Sequence, residues 1–298
     1  MPVDALSGFS VLEPAPAKIN LALAVTGRRE DGYHLLDSLV TFTAFGDRIG
    51  LSPAEEDRFT LSGRFSGTLV AEDDNLVTRA RDRLRAALAG SGQAAPPVHI
   101  HLEKNLPIAS GIGGGSADAA ATLRGLLALW QAELPRATLD AIALGLGADV
   151  PMCLAGRPLI ARGVGEDITP IALPALPMVL ANPLVGVSTP AVFKALASRH
   201  NPPLDLDAAP VDWLDAIARL RNDLEPPARA LCPDISAIAD SLAATDARVV
   251  RMSGSGATCF ALYRSDEAAE AAAGMLAEKH PHWFFTATWT LGASDGAH

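Results

Sequence analysis

The sequence predicts an α+β protein, because strand-like and helix-like stretches follow one another without regular alternation, and its length allows one large or two modest domains. Three observations carry this. Residues 98–130 read as a strand, a glycine-rich loop and a helix. Residues 249–279 read as a strand, a loop of small residues, a second strand and a helix. The composition shifts after Gly156, and residues 160–165 read as a crossover, so the domains are expected at 1–160 and 161–298.

In chain order, residues 1–13 read as a loose extension. In residues 15–25, Ile19, Leu21, Leu23 and Val25 alternate with Lys18, Asn20, Ala22 and Ala24, the period of a strand. Residues 26–32 form a polar turn, and 33–42 resume as a strand. Residues 47–70 hold short strand candidates. Residues 75–88 are helical, with Leu76, Val77, Ala80, Leu84 and Leu88 on one side and arginines on the other. Val98, Ile100 and Leu102 alternate with His99, His101 and Glu103 as a strand. Residues 116–130 hold no proline and one glycine and read as a helix. Thr138 can cap a further helix that runs to Leu146. In the second domain, 178–181 is a buried-strand candidate and 189–198 and 212–220 are helical. Residues 249–252 and 259–263 are strands, and 266–279 is a helix.

The loop Pro107-Ile108-Ala109-Ser110-Gly111-Ile112-Gly113-Gly114-Gly115-Ser116-Ala117 has four glycines in five positions, 111 to 115. Glycine lets a ligand approach the backbone closely. A loop entering a helix aims N–H groups and the positive end of the helix dipole at one point, which suits a phosphate. The plain alternative is a tight turn that packs a helix near a strand. A Walker A loop is excluded, because no lysine stands between Gly115 and Ser116. The dinucleotide fingerprint requires glycine where Ser116 stands.

The chain has 298 residues, of which 49% are apolar, enough for one large or two modest cores. No apolar run reaches the roughly 18 residues of a membrane span. No basic residue precedes Lys18, so a secretory leader is not expected. Cys153, Cys232 and Cys259 are widely spaced and odd in number, which points to a reducing, cytoplasmic setting. The net charge of -10 argues against nucleic acid and anionic membranes as partners. His99-x-His101 and His280-x-His282 lack completing ligands, so they read as solvent-facing histidines and no metal site is expected.

Phosphoryl transfer to an alcohol needs an acceptor for the hydroxyl proton and a cation to offset developing charge. Asp149 and Lys18 have those chemistries, although by themselves they also read as a turn-capping aspartate and a strand-end lysine. Four segments, read together, bear on the choice: Pro16-Ala17-Lys18-Ile19-Asn20, the loop at 107–117, Gly147-Ala148-Asp149-Val150-Pro151 and Ser253-Gly254-Ser255-Gly256-Ala257. Their order and content resemble the galactokinase, homoserine, mevalonate and phosphomevalonate (GHMP) kinase superfamily. Thr26-Gly27-Arg28-Arg29-Glu30-Asp31-Gly32-Tyr33-His34 narrows the resemblance to the family that phosphorylates 4-diphosphocytidyl-2-C-methyl-D-erythritol. The resemblance spans about residues 14 to 263.

It implies a two-domain GHMP kinase fold with the active site in the interdomain cleft. It implies ATP on the loop at 107–117, with Asn75, Leu76 and Lys104 near the adenosine. Asp149 is implied as base beside Lys18, and Asn20 as a substrate contact. Tyr33, His34 and Phe193 would hold the cytosine, with Thr189 and Gly256 completing the substrate set. Mg2+ would arrive with ATP, held largely by phosphates and water, with Ser116 as a candidate contact. The partners are then ATP and a cytidine diphosphate methylerythritol, and the assembly a monomer or weak homodimer. At Ala109-Ser110-Gly111 the chain departs from a pattern that is often richer in glycine.

Overall fold

The computed structural model describes residues 5–68, 75–108, 110–206 and 210–292. The chain divides into two compact units that interleave in sequence. The first is Met1–Ala17, Gly46–Ile108 and Gly113–Ala155; the second is Lys18–Phe45, Ala109–Ile112 and Gly156–His298. A single cut at residue 160 does not describe them, because β1 (Val11–Arg28) and β2 (His34–Pro53) each contribute residues to both units. At 18 and 20 residues these strands far exceed the usual length.

In the first unit, β3 (Arg58–Ser62) runs parallel to β4 (Val98–Glu103), with α1 (Leu76–Gly90) as the crossover between them. The last part of β2 pairs antiparallel with β4, from Arg48 opposite Glu103 to Pro53 opposite Val98. Helix α1 buries Val77, Ala80, Leu84 and Leu88, the apolar face read from the sequence, and Asn75 Oδ1 caps it by accepting the Val77 N–H at 2.6 Å. Helix α2 (Gly114–Trp130) starts two residues earlier than expected, after Gly113 in the left-handed conformation (φ 64°). Ser116 therefore sits inside the first turn and is not its cap. The small residues of α2 serve close packing: a Cβ on Gly125 would collide with Leu51 Cδ1 on β2. Helix α3 (Arg136–Leu146) begins after Pro135, so Thr138 lies within it and caps nothing. A short helix, α4 (Val150–Ala155), follows Asp149 and was not expected.

The N-terminal residues are less loose than their composition suggests. Leu6 is 1% exposed, and the Phe9 ring lies 5.0 Å from that of His99 and 5.6 Å from that of His101. His99 and His101 are likewise not simple surface residues. Thr60 Oγ1 lies 2.7 Å from His99 Nε2 and 2.8 Å from His101 Nδ1, and Ser62 Oγ lies 2.7 Å from His101 Nε2. The parallel register, which sets Thr60 opposite His101, makes the hydroxyls of β3 their partners.

In the second unit, the first part of β2 pairs antiparallel with β5 (Leu159–Gly163), which pairs with β6 (Asp167–Pro170); the expected crossover at 160–165 is thus mostly strand. After β7 (Pro177–Asn182) come α5 (Thr189–Lys194), α6 (Trp213–Ala218), α7 (Glu225–Leu231) and α8 (Pro233–Ala243). Then follow β8 (Val249–Met252), β9 (Cys259–Leu262), α9 (Asp266–Lys279) and β10 (Phe284–Trp289). The sheet β10-β7-β9-β8 is antiparallel throughout. Its Val179, Ala181, Cys259 and Ala261 share one core with Ile235, Ile238 and Leu242 of α8 and Ala269 and Leu276 of α9. Helix α5 stops at Lys194, short of the expected 198. Helices α7 and α8 were not among the expected elements; Pro226, Pro227 and Pro233 stand in their first turns, where proline is tolerated. Among the described residues no helix is long and apolar enough to cross a membrane.

Candidate active site

In the second unit one serine hydroxyl ties three of the sequence segments together. Ser253 Oγ accepts the Asn20 N–H at 3.1 Å and donates to the Gly111 carbonyl at 3.1 Å. Ser253 opens the hairpin loop between β8 and β9, which its own N–H closes by donating to the Thr258 carbonyl at 2.9 Å. Asn222 Nδ2 holds the same loop through the carbonyls of Met252 (2.8 Å) and Gly254 (2.9 Å). Arg251 is buried and donates to the carbonyls of Leu21, Ile217 and Leu220 at 2.6–3.1 Å. Burial pulls its pKa down to about 10, with Glu225 opposing the shift.

The glycines of these loops have steric reasons. Gly111 has φ +75°, and a Cβ there would stand 2.6 Å from the Gly256 carbonyl oxygen and 2.7 Å from that of Ser253. Gly254 has φ +55°, and its Cβ would stand 2.9 Å from the Gly111 carbonyl oxygen. Two backbones meet here without side chains between them.

Ala109 lies outside the described residues. From Ser110 to Ile112 the loop turns its carbonyls toward protein donors. Ser110 accepts the Thr258 N–H at 3.0 Å, Gly111 the Ser253 hydroxyl, and Ile112 the Lys18 N–H at 2.9 Å. In the first unit, the N–H groups of Gly114, Gly115 and Ser116 precede the first bond of α2, from the Ala117 N–H to the Gly113 carbonyl at 2.8 Å. They form the donor end of a 17-residue helix. Leu76 Cδ1 is 3.4 Å from where a Cβ of Gly115 would stand. Pro107 is buried and Ile108 exposed.

Lys104 is buried, and its ammonium donates to Asp47 Oδ2 at 2.5 Å and Asp118 Oδ2 at 2.6 Å. Asp47 Oδ1 also accepts the N–H groups of Asn105 (2.6 Å) and Leu106 (2.8 Å). Burial lowers the pKa of Lys104, but the two carboxylates outweigh it and the net shift is upward. The Asp118 carboxyl is pushed well up, chiefly by burial. The Lys104 ammonium would lie 3.1 Å from a Cβ on Gly114. Its charge is thus satisfied by protein carboxylates under the start of α2. Neither acid was singled out in the sequence, although an aspartate inside an alanine-rich run directly after a glycine loop is a readable oddity.

Lys18 and Asn20 share one face of β1, and Lys18 Nζ donates to Asn20 Oδ1 at 3.1 Å. Asp149 is half-buried just ahead of α4, and its carbonyl accepts the Cys153 N–H at 3.1 Å. The His34 and Phe193 rings stack at 4.6 Å and 24°. His34 Nε2 is buried with no partner among the described residues. Burial, then Arg28 and Arg199, lower its pKa, so the neutral ring is favoured. Tyr33 is 64% exposed at the end of the turn, where its carbonyl accepts the Arg29 N–H at 2.7 Å. Thr189 Oγ1 lies 2.7 Å from Ser255 Oγ, which brings α5 to the loop that holds Gly256.

Two family models match the chain: the GHMP kinases N terminal domain over residues 75–157 and the GHMP kinases C terminal over residues 206–282. A 4-diphosphocytidyl-2-C-methyl-D-erythritol kinase of Rhizobium meliloti (strain 1021) is 58% identical over 300 residues, covering 99% of this chain and 100% of that one. One of Rhizobium johnstonii (strain DSM 114642 / LMG 32736 / 3841) is 61% identical over 287 residues, covering 95% and 94%. A solved 4-(cytidine 5'-diphospho)-2C-methyl-D-erythritol kinase superposes with a TM-score of 0.79 at 37% identity, covering 95% of this chain and 100% of that one. The chain belongs to the GHMP kinases, within the family of 4-diphosphocytidyl-2-C-methyl-D-erythritol kinases.

Proposed function

We propose that the chain transfers the γ-phosphoryl group of ATP to the 2-hydroxyl of 4-diphosphocytidyl-2-C-methyl-D-erythritol, a step of the non-mevalonate route to isoprenoid precursors. The observation that carries this reading is the identity of 58–61% to full-length relatives of that name. The local geometry supports it. The triphosphate lies on the loop at 107–117, where the carbonyls of Ser110 to Ile112 are bonded to protein and the N–H groups of Gly114 to Ser116 open α2. Asn75 and Leu76 border the adenosine side; Lys104 stands beneath it, its ammonium held by Asp47 and Asp118 and its backbone bonded to Ser62 and Phe65.

Asp149 accepts the proton of the attacking hydroxyl, and Lys18 offsets the charge that develops on it. Tyr33, His34 and Phe193 form the cytosine site. The neutral His34 ring keeps Nε2 for the polar edge of the base. Thr189 and Gly256 border the rest of the substrate.

The donor set suits Mg2+ as a companion of the phosphates, with the Ser116 hydroxyl oxygen in the first turn of α2 as a hard ligand. When bound with ATP it would neutralise phosphate charge. The test is phosphorylation of a panel of small alcohols, with the phosphorylated position mapped by NMR. Transfer to the 2-hydroxyl of the cytidylyl substrate is expected; equal use of the bare methylerythritol phosphate would overturn the reading.

A further inference from the structure

Three polar side chains, Lys18, Asn20 and Ser38, lie together in the second unit and are 5%, 4% and 2% exposed. Their hydrogen bonds run in one direction only. The Lys18 ammonium has donors and no acceptor, so the atom of Asn20 facing it is the amide oxygen, at 3.1 Å. The Asn20 amide nitrogen then faces Ser38 Oγ at 2.8 Å. Ser38 has a single hydroxyl proton, and it goes to the Ala22 carbonyl at 2.7 Å. The serine oxygen is therefore left to accept from Asn20. Both ends of the amide agree on its orientation.

Nothing else within this chain of bonds sets that orientation. The terminal torsion of asparagine is broad and roughly two-fold, so the amide can turn over when one end loses its partner. Turned over, it would present N–H groups to an ammonium that can only donate. The backbone of Asn20 is held separately, through its N–H to Ser253 Oγ at 3.1 Å. Loss of Ser38 thus leaves the amide held at its Lys18 end alone and leaves the strand in place.

We propose that Ser38 is a positioning residue for phosphoryl transfer, which acts through the Asn20 amide to aim the Lys18 ammonium. This rests on the role given to Lys18 above. Asn20 is accordingly an orienting residue, with both ends of its side chain engaged by protein.

The experiment is steady-state kinetics with ATP and the cytidylyl alcohol for Ser38→Ala, Ser38→Thr, Asn20→Ala, Lys18→Met and the Ser38→Ala/Asn20→Ala double variant. Ser38→Ala should lower kcat roughly tenfold, the worth of one hydrogen bond, with both KM values within about twofold. Ser38→Thr should restore most of the loss, because it keeps the hydroxyl. The double variant should be no worse than Asn20→Ala alone, because Ser38 acts only through the amide. Ser38→Cys, similar in size and a weak acceptor, replaces the alanine variant should that one not fold. Independent, multiplying losses in the double variant would overturn the proposal, as would a normal kcat for Ser38→Ala beside an inactive Lys18→Met. A fully active Lys18→Met would instead remove the assigned role of Lys18.

Discussion

The ring of His34 rests on that of Phe193, with centroids 4.6 Å apart and planes 24° from parallel. The stack joins the start of β2 to α5 in the second unit and leaves His34 Nε2 buried with no partner among the described residues. Base stacking on an aromatic ring is worth about 1–3 kcal/mol, which is roughly ten- to hundredfold in affinity. Phe193→Ala should raise KM for the cytidylyl substrate by that factor and leave KM for ATP nearly unchanged. His34→Ala should in addition narrow the difference between cytidylyl and uridylyl forms, because stacking alone tolerates any base. Comparing kcat/KM for both forms in each variant checks this.

Asp149→Asn preserves shape and removes the proton acceptor. Loss of a general base costs about 10²–10⁴-fold in rate. The variant should show that loss in kcat, while equilibrium binding of ATP and of the cytidylyl substrate changes little. A near-normal kcat would move the base elsewhere or leave positioning alone to carry the reaction.

Gly111→Ala tests the contact between backbones. The new Cβ would stand 2.6 Å from the Gly256 carbonyl oxygen and 2.7 Å from that of Ser253, at φ +75°. Overpacking costs about 1–3 kcal/mol, and the left-handed conformation about 1–2 kcal/mol more. Urea unfolding should show the loss, and any folded fraction should bind ATP more weakly because the loop is displaced.

Lys104→Met should destabilise strongly. It would leave Asp47 and Asp118 buried together with their cation removed. Breaking a buried pair typically costs about 3–5 kcal/mol. Chemical denaturation measures it, and a loss confined to ATP KM with unchanged stability would contradict the structural role.

Acid should weaken the fold through His101. Burial lowers its pKa from the ordinary 6.5, although Glu103 pulls the other way. Its folded pKa is below its unfolded one, so its contribution to stability is complete above pH 6.5 and is lost as pH falls through the folded value. A tenfold difference in proton affinity between the folded and unfolded states is worth about 1.4 kcal/mol. The unfolding free energy of the wild type should fall between pH 7.5 and 5, and His101→Gln should flatten that slope.

Much was legible from local pattern alone. The alternation at residues 19–25, the apolar face of α1 and the strand–glycine–helix order around residue 111 are short-range signals, and each became the expected element. The glycine clusters marked where backbone comes close to something. Helices α7 and α8 were not assigned from the sequence; their prolines stand in first turns, and the meaning of a proline depends on whether it stands there or in an interior. Only the tertiary structure decided what the polar groups do. Lys104 lies 57 residues from Asp47 and Asn20 lies 233 from Ser253, and no local periodicity reports such pairings. His101 looked solvent-facing until the parallel register of β3 placed Thr60 and Ser62 beside it. Burying a polar group is tolerable only when a partner is brought to it, and that partner is supplied by chain topology rather than by the neighbours in sequence.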